Sequence, residues 1–156
     1  MKSIIIVLTA IAIGLTINSH GQKIPAAWKP GMKLEASYSG GMTQYSYKIV
    51  ISDSVSYMNV VNEKGAKHYD RKFTQPELND ILAFLAQAEF DKIESEHTGP
   101  TDDKGSESVI LTWDFEVIGA SESSGTSIVE PYRDNFNSIT AYVQGLFPKD
   151  QKKKKK

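Results

Sequence analysis

No cysteine occurs anywhere in the chain, which excludes both a disulfide-stapled scaffold and a lipid-bearing cysteine. Histidine is nearly as scarce: His20, His68 and His97 are the full set. None of them belongs to an HExxH pair or has a neighbour at metal-ligand spacing, so no zinc site is expected. A G-x-S-x-G nucleophile elbow and a glycine-rich phosphate loop are missing too. With no catalytic constellation and no cofactor motif, the chain is expected not to be an enzyme. Long apolar runs are also absent. The longest apolar-rich stretch, residues 4–17, has 14 positions against the roughly 20 that a membrane-spanning helix needs.

What is present begins with export. Met1 and Lys2 precede that stretch, and Ser19 and Gly21 put small residues three before and one before a cut ahead of Gln22, the order of a secretory signal peptide. Residues 1–21 are thus expected to be removed, leaving a periplasmic or secreted chain with no transmembrane segment. Residues 22–33, with two prolines and Trp28, read as an extended lead-in, and residues 34–148 as one domain. Charge is unevenly placed: the body from Gln22 to Pro148 holds 11 basic and 18 acidic residues, whereas residues 152–156 are all lysine. Such a run repels itself and buries nothing, so residues 149–156 read as a disordered solvated tail, with a grip on an anionic envelope surface as the functional alternative. The acidic body speaks against nucleic acid as a partner.

Leu34, Ala36 and Tyr38 alternate with polar residues, as do Tyr45, Tyr47, Ile49 and Ile51 after Gly40-Gly41, which predicts two strands and a turn between them. Further strands are expected over residues 55–61 and 66–73, separated by a turn at Gly65. Thr74-Gln75-Pro76-Glu77 is a capping box with proline in the first turn, and it opens a helix predicted over residues 75–89. Phe90 and Ile93 are expected to close over its end. Residues 94–106 read as a polar surface loop. Val109, Leu111, Trp113, Phe115 and Val117 predict one central strand, followed by a turn over residues 119–125, a short strand over 126–130 and a second amphipathic helix after Pro131. Strands grouped in hairpins with two helices to cover one face predict an α+β fold: an antiparallel sheet of about six strands with both helices on one side.

Function then falls to surfaces. The two mature histidines read as solvated. Asp102 and Asp103, with Glu96 and Glu107 nearby, offer oxygens to a hard cation, but at no EF-hand spacing, and no metal site is assigned. The candidate binding surfaces are the glycine turn with Met42, the loop over residues 94–106 and the serine-rich turn over residues 121–126.

"SYSGG" on a first strand, a tyrosine-rich return strand, "LAFLAQAEFDKI", an aspartate-bearing loop, "SVILTWDFEV" and a closing amphipathic helix together resemble the emfourin-type domain. Its members are small bacterial inhibitors of thermolysin-like zinc metallopeptidases of the protealysin group. The resemblance spans roughly residues 34–147. It departs at Met42-Thr43-Gln44, where the family pattern has Ala-Gly, and in its longer meander of strands before the first helix. What it implies is a protein partner, a metallopeptidase, met by Ser39, Gly40, Gly41, Met42 and Tyr45, with a carboxylate from Asp102 or Asp103 near the peptidase's zinc. Occlusion of the cleft would be the mechanism, backbone pairing with it as a substrate strand does. The alternative from the residues alone is an envelope-associated binding or structural domain without inhibitory activity.

Overall fold

The computed structural model describes residues 24–40, 44–99 and 105–147. The expected signal peptide and lysine tail lie outside them, as do Gly41, Met42, Asp102 and Asp103. The elements run β1 (Lys33–Ser39), β2 (Ser46–Ser52), β3 (Tyr57–Asn62), β4 (Gly65–Asp70), α1 (Gln75–Gln87), a 3-10 turn (Phe90–Lys92), β5 (Ser95–His97), β6 (Ser106–Trp113), β7 (Glu116–Glu122), β8 (Thr126–Ile128) and α2 (Arg133–Gly145). Six strands form one antiparallel sheet in the order β4-β3-β2-β1-β6-β7. β5 and β8 pair separately.

Alternation decides which face is covered. Leu34 and Ala36 of β1, Tyr47, Ile49 and Ile51 of β2, Val109, Leu111 and Trp113 of β6, and Ile118 and Ala120 of β7 are buried on one face. They join a single core with Leu78, Ile81, Leu82 and Leu85 of α1 and Phe136, Ile139 and Val143 of α2. The helices lie side by side, Phe84 stacked on Tyr142 with ring centroids 3.9 Å apart. The α+β sandwich expected from the pattern is therefore present. The opposite face carries Lys33, Glu35, Ser37 and Lys48 around the central strands, with Glu35 held between the two lysines.

Local chemistry fixes the start of α1 as anticipated. Glu77 Oε2 accepts from the Thr74 amide at 2.8 Å and from the Thr74 hydroxyl at 2.9 Å, and Pro76 sits where a missing N–H costs nothing. The other carboxylate oxygen takes Arg71 Nη2 at 2.7 Å. Arg71 also donates to the Leu146 carbonyl and lies over the Phe73 ring, so one side chain links the beginning of α1 to the end of α2. Phe90 and Ile93 close the far end of α1, both buried.

Four boundaries differ from expectation. The strand predicted over residues 109–117 is two strands: it ends at Trp113, turns through Asp114 and Phe115, and returns as β7. Asp114 takes φ 48°, a left-handed conformation that aspartate tolerates better than most residues. The stretch over 119–125 expected as a turn is largely β7, leaving only Ser123 to Gly125 to turn. Residues 95–97, expected within a loop, form β5 against β8. The fourth strand, expected to reach residue 73, stops at Asp70, beyond which the Arg71 amide donates to the Ser56 carbonyl at 3.0 Å.

Candidate functional site

One end of the sheet carries Ser39, Gly40 and Tyr45, the described members of the set singled out from the sequence. Ser39, the exposed last residue of β1, lies between Ser46 of β2 and Ser106 of β6. The Gly40 amide donates to the Tyr45 carbonyl at 3.0 Å and closes the connection to β2. On the other side Gly105 packs directly on this backbone: a Cβ added there would lie 2.8 Å from the Ser39 carbonyl oxygen, 3.1 Å from the Tyr38 hydroxyl and 3.2 Å from the Gly40 Cα. No side chain fits that gap. The position where bare backbone is required for close approach is thus Gly105, which sequence reading treated only as part of a polar loop. The described residues that flank the glycine turn and the aspartate-bearing loop are therefore in contact, although Gly41, Met42, Asp102 and Asp103 themselves lie outside the described set.

Three tyrosines form the wall behind this edge. Tyr38 is 5.9 Å from Tyr45 and 6.0 Å from Tyr47 between ring centroids. Tyr47 is buried and Tyr45 is 39% exposed, so the cluster runs from the core out to solvent. Beside Tyr45 opens a cleft of about 260 Å³, lined also by Gln44, Asn62, Glu63 and Lys64.

Beneath the edge lies a polar network that sequence reading missed. The Tyr47 hydroxyl donates to Glu107 Oε1 at 2.6 Å and accepts from Gln144 Nε2 of α2 at 3.0 Å. Glu107 stands directly across from Glu122 on the covered face. Burial, with the like charge of Glu122 adding to it, pushes the Glu107 carboxyl above the usual range against the opposing effect of the Tyr47 bond. Burial also raises the Tyr47 phenol, helped by its bond to Glu107. Arg133 of α2 answers Glu122 at 3.1 Å, and it holds Glu130 at 2.8 Å and the Ile128 carbonyl at 3.0 Å. The network ties β2, β6, β7 and α2 together under this sheet end.

The remaining candidates are placed elsewhere. His68 on β4 bonds Asn59 at 2.5 Å and Asp70 at 2.9 Å and stacks on Tyr57. His97 and Glu96 are exposed on β5, while the Glu107 carboxylate turns inward to Tyr47. Among the described residues no three histidine, aspartate or glutamate side chains gather as a metal-binding group, and no helix is long and apolar enough to cross a membrane. A second cleft of about 330 Å³ lies at the opposite sheet end, between residues 52–56 and 70–73. Its Ser52 and Ser56 hydroxyls are spent on the backbone of their own turn. No known family model and no curated protein matches this chain.

Proposed function

We propose that this is an exported protein-binding domain that inhibits thermolysin-like zinc metallopeptidases by occluding their cleft with the sheet end bearing Ser39, Gly40 and Tyr45. The observation that carries the reading is the contact of Gly105 with Ser39 and Gly40, which brings the last residues of β1 and the end of the aspartate-bearing loop to one edge beside a half-exposed tyrosine. A short, side-chain-poor backbone edge suits a cleft that recognises extended substrate, because main-chain groups approach without steric cost and an adjacent aromatic supplies apolar contact. The buried Tyr47–Glu107–Gln144 network keeps that edge ordered before binding, which lowers the entropy lost in the complex. The resemblance to emfourin-type domains supplies the identity of the partner.

The placement is tested by variants at both sheet ends. Tyr45→Ala is expected to weaken inhibition roughly tenfold or more, as truncation of an interface aromatic does. Phe115→Ala, at the opposite end, is expected to leave inhibition unchanged. Equal loss from both, or loss from Phe115→Ala alone, rejects the assigned edge.

A further inference from the structure

The two margins of the sheet are treated differently. β4 is short, polar and almost wholly exposed, with Lys67, His68 and Asp70 among its six residues, a composition that discourages strand addition. β7 is protected along only half its length. In an antiparallel pair, alternate residues turn their amide and carbonyl towards the neighbour and the rest turn them away. Ser121 turns both groups away from β6, since Ser95 Oγ donates to its carbonyl at 2.8 Å and accepts from its amide at 3.4 Å. Ser123, of the same parity, exchanges both backbone bonds with Thr126. Val117 and Gly119 share that parity, and among the described residues their outward groups have no partner.

This open half also carries the two most exposed large hydrophobic side chains among the described residues. Phe115 is 102% exposed and Val117 is 58% exposed. A strand edge of this kind is a template for another strand.

We propose that two copies of this chain join along the lower half of β7, antiparallel about a two-fold axis through Val117, so that the sheet continues from one copy into the other. The register is self-complementary. Val117 faces Val117 of the second copy, and each exchanges amide and carbonyl across the axis. Phe115 then faces Gly119, whose missing side chain leaves the Ile110 flank bare, with Ile110 Cγ1 3.5 Å from where a Cβ would be. An aromatic ring laid over a strand glycine covers such a gap. Glu116 of one copy meets Ile118 of the other on the opposite face, so the two Glu116 carboxylates come to diagonal positions across the pair and oppose the contact. The docking edge at Ser39 and Gly40 lies at the far end of the strands, so both copies keep it free.

The contact is short, which makes the association concentration-dependent and weak in dilute solution. Repulsion between acids is screened by salt, so the dimer is expected to strengthen as ionic strength rises. Sedimentation velocity of the purified protein over a concentration series, at low and high salt, reads this directly. Glu116→Gln is expected to tighten association roughly fivefold by removing like charge across the pair. Val117→Pro removes one outward amide without touching the β6 ladder and is expected to abolish the dimer; Val117→Lys serves the same purpose if circular dichroism shows the proline variant unfolded. A wild-type protein that stays monomeric at every concentration in high salt overturns the proposal. So does a dimer indifferent to both Val117 variants, or one that Glu116→Gln fails to tighten.

Discussion

The Tyr47 hydroxyl donates a 2.6 Å hydrogen bond to Glu107 Oε1, joining β2 to β6 over Tyr38 of the intervening β1. Gln144 of α2 donates to the same hydroxyl at 3.0 Å, so a single phenol bridges the sheet and the helix layer beneath this sheet end.

Stability should fall as pH rises out of the acid range because of Glu107. Burial and the facing Glu122 raise its carboxyl in the folded protein, so folding favours the protonated form. That contribution is complete below the unfolded value of about 4.3 and is lost as pH rises through the higher folded value. Glu107→Gln keeps an oxygen acceptor for Tyr47 and cannot ionise. Denaturant unfolding followed from acid to neutral pH should show the variant gaining on the wild type as pH rises and matching it most closely in acid. Parallel curves would contradict the assignment.

Glu77 acts in the opposite direction. The Thr74 amide and then the Thr74 hydroxyl and Arg71 hold its carboxyl below the usual range. Its contribution is present above the unfolded value and is lost as pH falls through the folded one. Glu77→Gln should flatten the acid limb of the stability profile. Thr74→Ala, which removes the hydroxyl half of the cap, should cost about 1 kcal/mol near neutral pH in the same unfolding measurement.

Gly105→Ala tests the close approach between Gly105 and the end of β1. The added methyl meets the Ser39 carbonyl at 2.8 Å, and the atoms it strikes include backbone that cannot swing aside. A loss of about 1–3 kcal/mol in thermal or denaturant unfolding is expected, of the size that overpacking produces. A neutral substitution would show that the two segments do not meet.

The sheet and both helices were legible because their signals are local. Alternation at Tyr47, Ile49 and Ile51 marks a half-buried strand, and Thr74-Gln75-Pro76-Glu77 satisfies orphan backbone donors within one turn. The β6–β7 turn was hidden by its own register. A two-residue turn preserves the odd-numbered alternation, so Phe115 and Val117 continue the apolar pattern of Val109 to Trp113 although Phe115 is in the turn and Val117 lies on the opposite, open face. Strand pairing between distant residues was not legible either. Nothing beside Gly105 in the sequence says that Ser39 will pack on it, and Glu107 reads as one more acid near a polar loop until Tyr47, 60 residues away, is brought against it. Of the proposed contact residues, Ser39, Gly40 and Tyr45 do lie at one sheet end.

The central claim is that this sheet end closes a metallopeptidase cleft. Titrating the purified protein into a thermolysin-like zinc peptidase, with hydrolysis of a small peptide substrate as the readout, tests it most directly. Activity is expected to fall to a plateau near one equivalent of the protein, with inhibition competitive with substrate. Full peptidase activity at a large excess of the protein would contradict it.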